Sequence, residues 1–342
     1  MSCESFKELI HRSVIYCINE YEPRWDSPWL LHIAPIAVAV SGGADSMALL
    51  LLFKELLDEF GLGNRLIALT IDHNLSCSKE YVNSVHNWIC QRQINHEILE
   101  WQHAPLQTAI EEKARAARYK LLTDYCRNNR IPRVFVAHHA KDQAETVFMH
   151  LMRGSSLRGL GGMRPVSQYN GIDIVRPLLS VDPQDLKDTL RRFNQPYMTD
   201  ADNLSDQFER VRWRRMITQN REINVCNMAK SAQNLQNIET QIEEAAQKFI
   251  SANVIALSFP NQKFLELMPV VAQTVLKLLI NKVRNNALPC SYRVVEKIYD
   301  QVKDANFLAT TANGCLIRRA NAGMITILRE GQRKRDKGAN EI

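Results

Sequence analysis

Two kinds of apolar patterning alternate along the chain. Short runs rich in Val, Ile, Ala and Leu, as at 35–40 and 66–71, sit between longer stretches interrupted by charged residues. The first kind suits strands buried on both faces, and the second suits helices with one buried stripe. The pattern predicts a first strand over Pro35–Val40 and a helix beginning at Ser46. In that helix Lys54, Glu55, Asp58 and Glu59 leave Met47 to Phe53, Leu56, Leu57 and Phe60 to be buried, and Gly61 and Gly63 end it. Further strands are predicted over Arg65–Ile71, His96–Trp101, Val134–Ala137 and Ile172–Val175. Helices are predicted over Lys79–Gln93, Leu106–Asn129, Asp142–Met152 and Pro183–Phe193. Residues 5–33 read as a helix and a connector containing Trp25, Pro28 and Trp29.

Strands that alternate with helices imply parallel pairing and right-handed crossovers. The expected fold class is therefore α/β, a parallel doubly wound sheet, with a second, mostly helical C-terminal domain that carries a few strands. The C-terminal strands are expected at Phe307–Thr311, Cys315–Arg319 and Met324–Leu328. The expected boundaries are 1–218, with a helical extension over 1–33, and 219–342. In open sheets of this kind ligands bind beyond the carboxyl ends of the strands. Ser41 to Ser46, Asp72-His73 and His138-His139 all fall at such ends.

Composition narrows the class. A chain of 342 residues has room for two cores, and 45% apolar with 23% charged residues is ordinary for a globular protein. No apolar run approaches the roughly 18 residues of a membrane span, so no membrane association is expected. Met1-Ser2-Cys3-Glu4-Ser5 shows neither a charged n-region nor an apolar h-region, so a secretory signal is not expected. Eight cysteines (3, 17, 77, 90, 126, 226, 290 and 315) include no C-x-x-C pair. That spacing argues against zinc, an iron–sulfur cluster or a disulfide framework, and for a reducing cytoplasmic compartment. A net charge of +6 permits a polyanionic partner. A homodimer is compatible with the sequence.

The candidate chemistry begins at Ser41-Gly42-Gly43-Ala44-Asp45-Ser46, between the first strand and its helix. A strand, a glycine turn and a helix N-terminus aim backbone N–H groups and a positive dipole end at one point, which suits phosphate. The two glycines keep Cβ atoms away from the ligand, Ser41 and Ser46 supply hydroxyls, and Asp45 could hold a Mg²⁺ bridging phosphate oxygens. The stretch lacks the lysine of a Walker A loop and the spacing of a dinucleotide fingerprint. The plainer reading is a tight turn capped by Ser46.

In His138-His139-Ala140-Lys141-Asp142-Gln143-Ala144-Glu145, Asp142 and Glu145 share the first helical turn and suit a cationic amine or a metal. The alternative is a capping box, with Asp142 as cap and Glu145 reaching back. Ala144, Val147, Phe148, Leu151 and Met152 form the expected buried stripe. Arg115 and Arg118 lie at i, i+3 on one helix edge, and the loop from Arg153 to Met163 holds Arg158 among four glycines. Such loops serve as connectors or follow a phosphodiester backbone. From Asp206 to Arg221, five arginines (210, 212, 214, 215 and 221) face two acids, a local net of 5 − 2 = +3. Trp213 among them offers an aromatic face to a base or to core packing.

S-G-G-x-D-S after an apolar strand resembles the PP-loop of ATP pyrophosphatases. The order of H-H-x-x-D-Q-A-E-T, R-G-S-S-L-R-G-L-G-G-M, Arg176-Pro177-Leu178-Leu179 and Asp202-Asn203 before the arginines is similar to that of bacterial tRNA(Ile)-lysidine synthases, over roughly residues 35–218. The resemblance implies an enzyme that uses ATP to adenylate C2 of the wobble cytidine of isoleucine tRNA with a CAU anticodon. Free L-lysine then displaces AMP to form lysidine. It implies ATP contacts at Ser41, Gly42, Gly43, Ala44, Asp45 and Ser46, with Mg²⁺ at Asp45. It further implies catalytic roles for Asp45, His138, Asp142, Glu145 and Arg115, and tRNA contacts at Arg118, Arg153, Arg158, Arg210, Arg212 and Arg214. Arg210 is alternatively a nucleotide contact. The family usually reads D-H-G-L-R where this chain reads Asp72-His73-Asn74-Leu75-Ser76. A tRNA 2-thiocytidine synthetase would run the same adenylation, but many of those carry a C-x-x-C that this chain lacks. A catalytically dead tRNA-binding factor would not need Asp45, Asp142 and Glu145.

Overall fold

The computed structural model of the chain describes residues 35–74, 78–103, 110–198, 209–220, 222–284, 290–320 and 323–331. The predicted N-terminal helix and its tryptophan connector, Leu75-Ser76, the first residues of the helix from Leu106, Asp202-Asn203, Asp206 and Arg221 lie outside these residues. The chain divides into two units, Met1–Ser155 with Gly159–Gln233 and Ser156–Arg158 with Asn234–Ile342.

The first unit is built on a six-stranded sheet of β1 (Ile36–Ala39), β2 (Leu66–Asp72), β3 (Asn95–Glu100), β4 (Arg133–Phe135), β5 (Val166–Tyr169) and β6 (Ile172–Val175). Its order is β3-β2-β1-β4-β6-β5, with every neighbouring pair parallel except β5 and β6. The helices are α1 (Ala44–Glu59), α2 (Ser78–Gln91), α3 (Ile110–Asn128), α4 (Ala140–Met152), α5 (Pro183–Arg192) and α6 (Glu209–Gln219). One face of the sheet packs a core of α1, α2 and α5 side chains, including Leu50, Val85 and Leu186. The other face packs Leu122 and Cys126 of α3 against Ala37, Leu69 and Val134. The chain leaves β1 toward β2 on one side and returns to β4 on the other. This reversal opens a crevice at the carboxyl ends of β1 and β4, where Ser41–Ser46 and His138-His139 sit.

The mostly parallel α/β class is as predicted, with three local differences. The antiparallel edge strand β5 is not among the predicted elements. Its signal is Asn170-Gly171, both at positive φ (51° and 79°), the two-residue turn that closes a hairpin. Phe60 lies one residue past α1 and is 63% exposed, so it is no part of the buried stripe. On α4 the buried residues are Ala140, Gln143, Ala144 and Glu145, whereas Leu151 and Met152 are exposed. Only the first turns of α4 are deeply buried, and its later turns lie beside α6.

The second unit has a four-stranded antiparallel sheet, β7 (Ser258–Pro260), β8 (Ala309–Ala312), β9 (Cys315–Ala320) and β10 (Met324–Arg329), in the order β7-β10-β9-β8. Its core joins Phe259, Ile317 and Ile327 of the sheet to α8 (Pro269–Val283) and α9 (Tyr292–Lys303) through Leu276 and Ile298. The long helix α7 (Val225–Asn253) begins in the first unit and ends in the second. Among the described residues no helix is long and apolar enough to cross a membrane, and Cys90, Cys126, Cys226, Cys290 and Cys315 are free thiols.

One partly buried contact on β3 sets a pH dependence. His96 Nε2 lies 2.8 Å from Thr70 Oγ1 and its Nδ1 lies 2.9 Å from His86 Nδ1. Burial first, and the neighbouring His86 second, push its pKa from 6.5 down to about 4. The unfolded chain takes up a proton that the folded chain refuses across that window, so stability falls as pH drops from 6.5 toward 4. His96→Gln removes this titration. Urea unfolding at about pH 7 and about pH 4.5 should show a smaller acid-induced loss in the variant than in the wild type. An equal loss in both would remove His96 as a source of the dependence.

Candidate active site

The turn after β1 is held by its own hydroxyls. Ser41 N donates to Ser46 Oγ at 3.1 Å, and Ser46 Oγ donates to Gly43 O at 3.0 Å. Tyr81 of α2 donates its hydroxyl to Ser41 O at 2.7 Å. Gly42 has φ of +83°, and a Cβ there would stand 2.4 Å from Val85 Cγ2. The close packing of α2 therefore demands this glycine. Gly43 is the N-cap of α1 and no side chain caps that end. Ser46 is thus spent on the turn, and the first N–H groups of α1 stay available to an anion.

The second half of the site is the start of α4, where the predicted capping scheme is shifted by three residues. His139, not Asp142, is the N-cap. Its Nδ1 accepts from Lys141 N (3.2 Å) and Asp142 N (3.4 Å), while His139 N donates back to Asp142 Oδ2 at 3.1 Å. Glu145 takes no part in the cap. It has no solvent exposure, and its two oxygens accept from Arg210 Nε at 2.7 Å and Arg214 Nε at 2.8 Å. Arg210 Nη2 also donates to Asp142 Oδ1 at 3.1 Å. Arg210 and Arg214, four apart on α6, thus turn toward α4, and Lys141 Nζ adds a bond to Thr218 Oγ1 at 2.7 Å. Arg212 and Arg215 lie on the exposed side of α6.

His139 joins the two halves, its Nε2 standing 3.4 Å from Asp45 Oδ2. Burial alone would lower its pKa. The hydrogen bond to Asp45 and the charges of Asp142, Asp45 and Glu145 outweigh burial and raise it. A second proton on Nδ1 would nevertheless break both cap bonds, so the tautomer that satisfies every contact carries its proton on Nε2. Asp142 is held below its usual range. Burial opposes this, but His139 and Arg210 and the His139 N–H outweigh it, and the carboxylate is ionised. His138 behaves in the opposite way: burial pushes it down to about 3 against the attraction of Asp142, with Arg176, Arg210 and Arg115 adding to the fall. Its Nδ1 is buried with no protein hydrogen bond. His138 is therefore a neutral imidazole near pH 7, unsuited to act as an acid.

The other predicted residues are spread more widely. Arg115 and Arg118 are exposed on α3, with Arg115 5.4 Å from the Tyr119 ring centre. Arg153, the C-cap of α4, pairs with Glu209 of α6. Arg158 groups with the second unit, 3.9 and 3.8 Å from the carboxylates of Glu239 and Glu243 there. Asn74 has φ of +49°, a conformation that glycine favours and asparagine tolerates, so the local backbone accommodates the change from the family's glycine. Residues 75–77 are not described, which leaves Ser76 aside.

Gln143 is a residue that sequence reasoning passed over. It is buried, donates to Gly161 O (3.3 Å) and Met163 O (3.0 Å), and accepts from Met163 N (2.8 Å). His150 Nδ1 meets Gly159 O at 2.5 Å. The glycine- and arginine-rich loop is thereby strapped to α4. Gly162, at φ +65°, leaves room for the Gln143 amide, from which a Cβ would stand 2.8 Å.

A parallel α/β sheet with an uncapped helix N-terminus after S-G-G-x-D-S defines a PP-loop nucleotide-binding protein, and a family model for the PP-loop domain matches residues 26–221. The chain belongs to the tRNA(Ile)-lysidine synthase family. Its relatives of that name include one from Wolbachia pipientis wMel, 30% identical over 312 residues that cover 87% of this chain and 71% of the relative. Another, from Orientia tsutsugamushi (strain Boryong), is 37% identical over 187 residues, 53% of this chain and 41% of the relative. The chain thus spans less than half of some relatives. The fold is shared with the U34-tRNA thiolase NcsA from Methanococcus maripaludis, at a TM-score of 0.54 and 15% identity over 67% of this chain and 78% of that one.

The clamp makes a prediction that separates the two carboxylates. Glu145→Gln leaves two half-buried guanidiniums facing a neutral amide and should cost about 2–4 kcal/mol in urea unfolding. Asp142→Asn keeps an acceptor for His139 N and leaves Arg210 paired with Glu145, so it should cost about 1 kcal/mol or less. Equal stability of Glu145→Gln and wild type would show that Glu145 does not hold α6.

Proposed function

We propose that the chain ligates free L-lysine to C2 of the wobble cytidine of an isoleucine tRNA with a CAU anticodon, through an adenylated intermediate, releasing AMP and pyrophosphate. The observation that carries this reading is the link from Asp45 of the phosphate loop through His139 to Asp142, beside arginines of α6. ATP phosphates fit the first turn of α1, where N–H groups meet no capping side chain. No group of three or more His, Cys, Asp or Glu among the described residues is arranged to hold a metal by itself. Asp45 would hold a Mg²⁺ beside the phosphates, and the ion would offset their charge.

Exposure divides the carboxylates. Asp142 retains 13% side-chain exposure and Glu145 none. An arriving ammonium is therefore received by Asp142, whose ionised oxygens keep lone pairs beyond their present bonds. Glu145 stays behind it, fixing Arg210 and Arg214 where they can offset negative charge at the α-phosphate. Neutral His138 orients a substrate group by hydrogen bonding rather than by donating a proton as an acid. The second unit and the exposed Arg118, Arg153, Arg158 and Arg212 are assigned to tRNA, on the family resemblance and the +6 net charge. Free thiols fit a reducing cytoplasm.

Incubation with ATP, lysine and a CAU-anticodon tRNA should yield AMP, pyrophosphate and a lysine-modified cytidine, read by mass spectrometry of the digested RNA. Asp45→Ala should lower the rate at least about tenfold, roughly 1.4 kcal/mol. Stoichiometric ADP, or an unmodified cytidine with lysine in excess, would overturn the proposal. Asp142→Asn should raise the lysine KM or lower kcat with little change in unfolding free energy.

A further inference from the structure

The α4–α6 pair is chemically divided along its length. Lys141 meets Thr218, Glu145 meets Arg210 and Arg214, Phe148 meets Trp213, and Arg153 meets Glu209, so the helices run antiparallel. The Glu145 end is polar and buried. The other end carries an apolar patch beside the Arg153–Glu209 pair. Phe148 and Trp213 stack with ring centroids 5.6 Å apart and planes 5° from parallel. Leu151 and Met152 follow Phe148 at i+3 and i+4 on the same face of α4, 53% and 66% exposed.

Two large exposed apolar side chains beside a partly buried aromatic stack form a contiguous apolar patch, the kind of surface that marks an interaction site. Its rim carries the Arg153–Glu209 ion pair at the end of α4 and, on the exposed side of α6 next to Trp213, the guanidinium of Arg212. An apolar floor within such a rim fits unpaired nucleotides, whose bases pack on the floor while phosphates meet guanidiniums. At 1.5 Å rise per residue, Phe148 and Leu151 lie about 4.5 and about 9 Å along α4 from Glu145. A base seated there is therefore close along the RNA to the one that meets Asp142.

We infer that Phe148, Trp213, Leu151 and Met152 form the docking surface for an unpaired base adjacent to the modified cytidine, with Arg153 and Arg212 facing its phosphates. This rests on the tRNA reading above and adds to it a surface that positions the RNA beside the carboxylates. The platform acts on RNA and leaves ATP binding alone.

The test uses the full chain, a fluorescently labelled CAU-anticodon tRNA and a matched ATP-binding assay. Leu151→Ser/Met152→Ser and Leu151→Glu/Met152→Glu, both at exposed positions, should each weaken tRNA binding, by about fivefold and at least about tenfold respectively. ATP affinity and urea stability should stay at wild-type values. Trp213→Phe should keep more affinity than Trp213→Ala. A photoreactive thiouridine next to the wobble position should crosslink to the tryptic peptide 142–153. Loss of affinity in the glutamate pair alone would reduce the effect to charge and overturn the apolar platform. If either pair instead converts a dimer to monomers while affinity per protomer is unchanged, the face joins two copies and the inference fails. A wild type that modifies cytidine while the serine pair binds tRNA normally sinks only this inference. A wild type that neither binds nor modifies the tRNA sinks the parent reading.

Discussion

A carboxylate with no contact to water has to be neutralised from another element, and Glu145 obtains this from Arg210 and Arg214 of α6. A single buried charge left unpaired costs several kcal/mol, so the requirement is stringent. It is also directional. Both guanidiniums donate through Nε, which fixes the orientation of each fork, and the second nitrogen of Arg210 then reaches Asp142. Asp142 in turn completes the cap of α4, and the capping His139 touches Asp45 of the phosphate loop. One buried ion cluster therefore sets the position of α6, the start of α4 and the first turn of α1 together.

The same helix organises the loop that follows it. A glycine-rich segment has a high conformational entropy to lose, and few side chains of its own to offset that loss. Gln143 supplies three hydrogen bonds to backbone from 161 to 163, and His150 supplies one to Gly159. Gly162 is needed because the buried amide occupies the volume where a Cβ would project. α4 thus presents chemistry at its first turn, a strap along its middle and an apolar face at its last turn.

Electrostatics divides the labour among groups that look alike in sequence. His138 and His139 are adjacent, yet burial without a hydrogen-bond partner holds one neutral down to about pH 3 while carboxylates raise the other. Asp142 and Glu145 are three apart, yet only Asp142 retains a surface that a substrate can meet. The four arginines of α6 divide likewise into two that close the ion cluster and two on the exposed face.

The alternation of β1 to β4 and β6 with their helices was legible from period alone, because buried parallel strands and amphipathic helices leave different apolar spacings. The phosphate turn was legible because a strand, two glycines and a helix start are local in the chain. So was the family, through motifs that lie in a fixed order. Strand β5 also left a local signal, in Asn170-Gly171 between alternating residues, that went unused. What stayed hidden depends on partners distant in sequence. Glu145 is separated from Arg210 and Arg214 by 65 and 69 positions, and no local pattern shows that they meet. The need for Gly42 comes from Val85 on another helix, and the burial of Gln143 comes from a loop that folds back 20 residues later. Capping by His139 escaped because histidine is not a usual cap residue, and the neighbouring aspartate carried the ordinary signal. Local spacing determined which groups this protein owns; only tertiary packing decided which of them are neutralised, which are neutral, and which still face a substrate.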